Sequence, residues 1–218
     1  MFEIIKVCTQ SMDSQKFIGK KYDNADRTDG SFEIVSKWNE WFENGWFKLI
    51  EKQITNNPDN TYEDSGAYIG LLRNKSGEPY QYWIGMFVSE NTETPKGFTH
   101  INFPKSEIGV CWVYGKEEHI SMNGSLDIFN RCKDRFEKDG MTHVHDKDNV
   151  CWAFERYTCS RFTKPDEKGN VILDICFFIK FNYDERENDC PLRGLAVDSN
   201  LTVDTFLAMT HDEKEMGE

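Results

Sequence analysis

Two apolar segments near the end of the chain, "VCWAFERYT" (150–158) and "NVILDICFFIKF" (170–181), decide the fold. Both are rich in β-branched and aromatic residues, which favour strands. The stretch between them, "KPDEKGN" (164–170), has the proline, glycine and asparagine typical of a turn. The two segments therefore predict a pair of adjacent strands.

A strand and a helix are predicted before this pair. "EIGVCWVYGK" (107–116) is rich in residues that favour strands. "SLDIFNRCKDRFEKDG" (125–140) predicts a helix, with Ser125 as the candidate N-cap and Gly140 as the end. The predicted order of elements is strand, helix, strand, strand.

The same order is predicted about 80 residues earlier in the chain. The strand candidates are "FIGKKY" (17–22), "AYIGLLRN" (67–74) and "YQYWIGMFVS" (80–89). In the helix candidate (32–53), apolar residues recur at the helical period: Ile34, Trp38, Trp41, Phe42 and Leu49. Gly45 should kink this helix or divide it in two.

The repeated order predicts an α+β fold of tandem strand-helix-strand-strand repeats, which form a pseudo-two-fold antiparallel sheet with a central ligand cleft. We expect one domain over 1–182, with halves at about 10–103 and 105–182. The helices should cover one face of the sheet and leave a groove between the halves on the other. The acidic extension 183–218 should be either a docked short helix or a frayed tail.

Composition excludes several function classes. The chain has 38 acidic and 26 basic residues, a net charge of -12, so direct binding to nucleic acid is not expected. No long apolar run or secretory leader is present, and membrane association is not expected either. The seven cysteines include no CxxC pair, which favours reduced thiols and a cytoplasmic location. No cofactor-binding motif is visible.

The segment "HVHD" (143–146), which lies near Cys151, is the one candidate for metal binding. A His-x-His pair with one distant cysteine has fewer ligands than the usual structural-zinc pattern. We therefore predict no metal site and interpret the segment as a flexible polar loop.

Glu155 is the main candidate for a functional residue because it lies inside a strand expected to be buried. An unpaired buried carboxylate is costly, so it is normally paired, neutralised or reserved for a cation. Alternation places Trp152, Phe154 and Arg156 on one face and Glu155 with Tyr157 on the other. If the tryptophan face packs under the helices, Glu155 faces the groove, and Arg156 points away from it.

Aromatic residues paired with glycines suggest walls for the same groove. Tyr68 shares a strand face with Gly70, and Trp83 shares one with Gly85. An aromatic ring beside a glycine leaves a recess with a flat wall, which together with a carboxylate suits a lipophilic cation. Each of Tyr68, Trp83 and Trp112, taken alone, is also typical of an ordinary core aromatic.

An ordered series of motifs resembles the GyrI-like effector-binding family, which includes ligand domains of AraC-type and multidrug-responsive transcription regulators. The motifs are "YIGLL" (68–72), "YQYWIGMFVSENTETPKGFTHINFP" (80–104), "FERY" (154–157) and "ILDICFFIK" (172–180). The resemblance covers about residues 10–182. It implies a central cleft whose glutamate, in the "FE-x-Y" pattern, is Glu155. It also implies aromatic walls at Tyr68 and Trp83, with Trp112 and Tyr157 as further candidates.

Three functions are compatible with the sequence. Because no helix-turn-helix is predicted, we expect a stand-alone small-molecule-binding protein for lipophilic, cationic or aromatic ligands, used as an effector or sequestration module. The alternative implied by the resemblance is a hydrolase of strained, cyclopropane-containing genotoxins. There Glu155 would activate water or stabilise a carbocation, with help from Trp83 or Trp112. A third function is regulation of a partner protein through the surface.

Overall fold

A computed structural model describes residues 2–23, 34–55, 66–121, 126–157, 159–181 and 202–204. Its strands are β1 (Phe2–Met12), β2 (Gln15–Asp23), β3 (Ile69–Asn74), β4 (Gln81–Ser89), β5 (Thr99–Phe103), β6 (Ser106–Gly115), β7 (Met141–His143), β8 (Cys151–Arg156) and β9 (Val171–Phe181). Its helices are α1 (Ile34–Glu43), α2 (Trp46–Thr55), α3 (Glu117–Ile120), α4 (Leu126–Lys138) and α5 (Ser160–Thr163).

The strands form one antiparallel sheet with the order β1-β6-β9-β8-β3-β4-β2-β5, and β7 pairs with β9. The first repeat contributes β2, β3 and β4, and the second contributes β6, β8 and β9. In each repeat the last strand lies between the other two, and β3 of one repeat pairs with β8 of the other. The predicted α+β fold with tandem repeats related by a pseudo-two-fold axis is confirmed.

The helix predicted over 32–53 is divided in two at Gly45, as that glycine suggested. Gly45 has a φ of 61°, a left-handed conformation that glycine adopts at little cost, and it ends α1 before α2 begins. The break resets the helical phase, so Leu49 of α2 is 47% exposed. Phe42, next to the buried Trp41, is 57% exposed. The five apolar residues of the helical pattern therefore do not share one buried face.

The sheet is open but strongly curved. β1 and β2 lie far apart in the strand order, yet Met12 and Gln15 are three residues apart, which limits their Cα atoms to about 11 Å. Across the curve, Phe103 of β5 stacks on Phe178 of β9 with ring centroids 5.1 Å apart. One face of the sheet is therefore concave and is filled by its own side chains.

Two hydrophobic cores lie on the two faces of this sheet. The helix-side core joins α1, α2 and α4 to the sheet through residues such as Trp41, Phe47 and Phe136. The concave core contains Trp152 and Phe154. The expectation that these two residues pack under the helices is therefore wrong. Strand alternation divided β8 correctly, but it could not say which face the helices cover.

Three residues of the acidic extension are described, and one of them is fully buried. Val203 packs into the concave core, so this point of the extension is docked. The rest of 183–218 and the predicted N-cap Ser125 lie outside the described residues. Within the described ranges, no helix is long and apolar enough to span a membrane.

Candidate functional site

Glu155 lies on β8 and faces the helix-side core, where it is 4% exposed. Its Oε2 atom accepts a hydrogen bond of 2.7 Å from the Tyr82 hydroxyl and another of 2.7 Å from the Tyr157 hydroxyl. Tyr82 comes from β4 of the first repeat, and Tyr157 follows β8 of the second. The carboxylate therefore joins the two repeats close to the β3–β8 pairing.

Trp38 of α1 covers these two tyrosines. Its indole Nε1 donates to the Tyr82 hydroxyl at 3.3 Å, and its ring centroid lies 4.7 Å from that of Tyr157. Phe162 contacts the same tyrosine, with centroids 5.2 Å apart. Glu155 is thus surrounded by aromatic side chains. We call Glu155, Tyr82, Tyr157, Trp38 and Gly70 the Glu155 site.

Gly70 belongs to this site because it leaves room for the tyrosine hydroxyl. It pairs directly with Glu155 in the β3–β8 register. A Cβ atom at Gly70 would overlap the Tyr82 hydroxyl and would lie 2.7 Å from Oε2 of Glu155. The absent side chain is therefore what lets Tyr82 reach the carboxylate.

Burial raises the pKa of Glu155 from 4.5 to about 7, and the hydrogen bonds from Tyr82 and Tyr157 partly oppose this shift. The pKa of Tyr82 is also raised, first by burial and then by the charge of Glu155. Among the described residues, no lysine, arginine or histidine forms an ion pair with Glu155. Burial therefore favours the protonated carboxyl group at Glu155 relative to an exposed glutamate.

Tyr68, predicted as a wall of the site, lies on the same side of the sheet as Glu155. Its ring stacks on Phe47 of α2, with centroids 3.7 Å apart and planes 5° apart. Its hydroxyl donates to Oε1 of Glu51 at 2.8 Å. Burial and the neighbouring Glu51 raise the pKa of Tyr68 to about 12. Tyr68 therefore remains a neutral hydrogen-bond donor under physiological conditions.

Trp83 and Trp112, predicted as further walls, lie in the concave core instead. The Trp83–Gly85 recess is filled by Phe17, whose ring would lie 2.7 Å from a Cβ atom at Gly85. Trp112 is fully buried, and the guanidinium of Arg161 lies 4.8 Å from its ring centroid. The structure does not bring these tryptophans to the face that carries Glu155.

Arg156 points away from Glu155, as alternation predicted. On the other face of the sheet, its Nη2 lies 3.1 Å from Oδ2 of Asp174, and its Nη1 donates to Gln10 at 3.0 Å. The fully buried Arg161 also binds Asp174, donating from Nε to Oδ1 at 2.7 Å. These two arginines therefore belong to a separate buried ion cluster.

Tyr82 and Trp38 were not predicted as site residues from the sequence. Tyr82 precedes Trp83 on β4, so choosing the tryptophan face of that strand excluded it. Tyr82 pairs with Leu72 of β3, two residues from Gly70, which pairs with Glu155, and this register could not be read from the sequence. Trp38 was recognised only as part of a helical pattern, since no sequence rule places a helix residue over a particular strand.

Comparison with known proteins finds similarity in structure. No family model and no curated protein sequence matches the chain. A structure of SAV2435 bound to tetraphenylphosphonium superposes with a TM-score of 0.53 and 14% identity, covering 81% of this chain and 94% of that one. A putative bacterial transcription regulation protein from Staphylococcus aureus MU50 gives a TM-score of 0.49 and 14% identity over 80% and 98% of the chains. The likeness to SAV2435 shows a shared fold.

Proposed function

We propose that this chain is a small-molecule-binding domain of the GyrI-like type, which holds lipophilic cations at the Glu155 site. One observation carries the proposal: a buried carboxyl group is enclosed by aromatic rings and bonded by two tyrosine hydroxyls, without an ion pair to any described residue. A cationic ligand would supply the positive charge beside Glu155 that no described residue provides.

The chemistry of the surrounding rings supports a cation over an anion or a neutral sugar. The Tyr157 hydroxyl donates to Glu155 and its ring meets Trp38 edge-on, while Tyr68 stacks on Phe47 on the same side of the sheet. Aromatic faces attract cations through their quadrupoles, and the attraction strengthens where water is excluded. A cation with apolar substituents would meet favourable contacts at both its charge and its surface.

Ligand entry requires a local movement, because Glu155 is only 4% exposed. Trp38 is the side chain to move, since its hydrogen bond to Tyr82 is long at 3.3 Å. It belongs to α1, a helix of ten residues whose Phe42 is 57% exposed. We therefore expect a ligand to displace Trp38 and to take its place against Tyr157.

Tetraphenylphosphonium is the first probe to use, since SAV2435 binds it and has the same fold. It carries a single positive charge surrounded by four phenyl rings. Triphenylphosphine oxide is a suitable uncharged comparison because it keeps three of the four phenyl rings and lacks the charge. A P=O oxygen takes the place of the fourth ring, so the effect of Glu155→Gln on each compound, and not the difference between the two compounds, reports on electrostatics.

The experiment is calorimetric titration of the wild type and Glu155→Gln with both compounds at about pH 8. We expect the substitution to weaken tetraphenylphosphonium binding about tenfold or more, or about 1.4 kcal/mol, and to leave triphenylphosphine oxide nearly unaffected. Tyr114→Phe, remote from the site, is the control and should bind like the wild type. Equal affinity of wild type and Glu155→Gln for the cation would refute the electrostatic role, and absence of wild-type binding would refute the proposal.

Such a domain would act as an effector or sequestration module. The net charge of -12 disfavours direct contact between these residues and nucleic acid. We propose a cytoplasmic location for this domain as well. If the chain regulates a partner protein through its surface alone, the Glu155→Gln variant should still bind that partner. If regulation depends on the ligand, the same variant should lose the effect of the ligand on partner binding.

Hydrolysis of a strained electrophile is a second candidate, favoured by the pKa of Glu155 near 7. A carboxyl group with this pKa can donate or accept a proton efficiently at neutral pH. The supporting aromatic residue would be Tyr157 or Trp38, since Trp83 and Trp112 lie on the other face. Incubation with a cyclopropane-containing electrophile and mass analysis of products tests this. Turnover no faster than in Glu155→Gln would refute it.

A further inference from the structure

The β7–β8 connection brings two histidines and a cysteine together. His143 and His145 are two residues apart in an extended segment, and their ring centroids lie 5.3 Å apart. His145 forms an antiparallel bridge with Cys151, the first residue of β8. One ligand atom from each of the three side chains lies within 4.8 Å of the others.

We propose that His143, His145 and Cys151 bind a borderline-soft divalent metal ion of the Zn²⁺ class, at a site separate from Glu155. Imidazole nitrogen and thiolate sulfur are the ligands that such ions prefer. The sequence alone favoured a flexible polar loop here. The spacing in the chain, with five residues between His145 and Cys151, did not show that the strands bring the side chains together.

The separation of the three ligand atoms is close to that of a metal centre. With Zn–N of about 2.05 Å and Zn–S of about 2.3 Å, tetrahedral angles place ligand atoms about 3.3 to 3.6 Å apart. The three atoms here lie within 4.8 Å of one another. Each pair therefore needs to close by about 1.5 Å at most, which small side-chain rotations can supply.

His143 provides independent support for a ligand. Within the described part of the chain, its Nδ1 atom is buried and has no hydrogen-bond partner. A buried polar atom without a partner is costly, and a metal ion at this point would satisfy it.

Asp146 holds the turn that positions the ligands. Its Oδ1 accepts hydrogen bonds from the backbone amides of Asp148 and Val150, at 2.9 and 3.0 Å. Its Oδ2 accepts one from Trp152 Nε1 at 2.9 Å. The Asp146 carboxylate is thus occupied within the protein, and we assign it a positioning role. Three protein ligands leave a fourth position for water, and a bound metal would fasten β7 to β8.

The test uses the full, untagged chain after removal of metals with a chelator. Titration with Co²⁺ should give one equivalent of bound ion, with tetrahedral d–d bands and a thiolate-to-cobalt charge-transfer band, and Zn²⁺ should displace it. Cys151→Ser should lose the charge-transfer band. His143→Ala and His145→Ala should each weaken Zn²⁺ binding by about tenfold or more. Removal of a residue that only hydrogen-bonds to a metal ligand already costs about tenfold in affinity, and removal of a ligand should cost at least as much.

His119→Ala is the matched control because it removes an exposed histidine outside the cluster, and it should bind like the wild type. Thermal unfolding of each metal-free variant shows that it is folded before its affinity is interpreted. Failure of the wild type to bind one equivalent would refute the proposal. Equal affinity in wild type, Cys151→Ser and His143→Ala would refute it as well, because the ion would then bind elsewhere.

Discussion

Gly70 and Glu155 lie directly opposite each other at the β3–β8 pairing, where the two repeats meet. A Cβ atom on Gly70 would stand 2.7 Å from Oε2 of Glu155 and would overlap the Tyr82 hydroxyl. The contact between the repeats thus depends on the absence of a side chain at one position. It is also the position where the buried carboxyl group is held.

Gly70→Ala should therefore destabilise the protein by disturbing the Glu155 site. Adding a methyl group to a filled core typically costs about 1–3 kcal/mol. Urea unfolding measures this free energy. Gly66→Ala is the control, because a Cβ atom there meets nothing within 4 Å, and it should change stability by less than about 0.5 kcal/mol. Equal effects of the two substitutions would contradict the steric role of Gly70.

Stability should depend on pH through Glu155. Its pKa rises from 4.5 to about 7 on folding, so its favourable contribution is full at low pH and is lost as the pH rises through about 7. The unfolding free energy of the wild type should fall relative to Glu155→Gln by about 2 to 3 kcal/mol between about pH 5 and pH 8. Chemical unfolding of both proteins across this range measures the difference, and parallel pH profiles would contradict the shifted pKa.

Cation binding should follow the same titration. The ligand binds the ionised carboxylate, so protonation of Glu155 competes with it below a pKa of about 7. For tetraphenylphosphonium we expect Kd to be about tenfold weaker at about pH 6 than at about pH 8 in the wild type. In Glu155→Gln this dependence should disappear, and its persistence there would assign the titration to another group.

Removal of either tyrosine hydroxyl should raise the pKa of Glu155 further. Tyr82→Phe and Tyr157→Phe each delete a donor that stabilises the ionised carboxylate. A hydrogen bond to a charged group contributes about 1.5–3 kcal/mol to the free energy of unfolding. Each substitution should therefore lower this free energy most at high pH, where the carboxylate is charged. NMR titration of the ¹³C-labelled carboxyl carbon measures the pKa. Tyr114→Phe is the control. It removes a hydroxyl that donates to Asp166, and the pKa of Glu155 should not change.

Asp174→Asn should be strongly destabilising, because Asp174 is the shared partner of two buried arginines, Arg156 and Arg161. Removing one partner of a buried ion pair costs about 3–5 kcal/mol. Glu40→Gln breaks an exposed pair with Lys37 and should cost less than about 1 kcal/mol. Thermal unfolding compares them, and similar melting temperatures would contradict the structural role of the buried cluster.

Much of the fold could be predicted from the sequence, because the elements of the two repeats have clear periodicity. Gly45 divided its helix, and the strands at 80–89 and 170–181 were found within one residue of their observed ends. The edge strand β5 was missed, since "THINF" has no buried alternation to indicate it. β7 is only three residues long and was missed for that reason.

The candidate site was predicted in part. Glu155 and Tyr157 were placed together, and Arg156 was placed away from them, because alternation along one strand is a local property. The face that the helices cover is a property of the whole sheet, whose curvature no single strand encodes. Trp83 was therefore assigned to the side of Glu155, whereas its neighbour Tyr82 occupies that position.

The pairing of β1 with β6 has a consequence for synthesis of the chain. Phe2 pairs with Gly115 and Met12 with Ser106, so β1 finds its partner strand only after about 100 more residues have been made. At about 5–20 residues per second, β1 waits for roughly 5 to 20 s. During that interval the backbone groups of β1 can pair with other strands, and co-translational folding can complete the sheet only after the second repeat has begun to emerge.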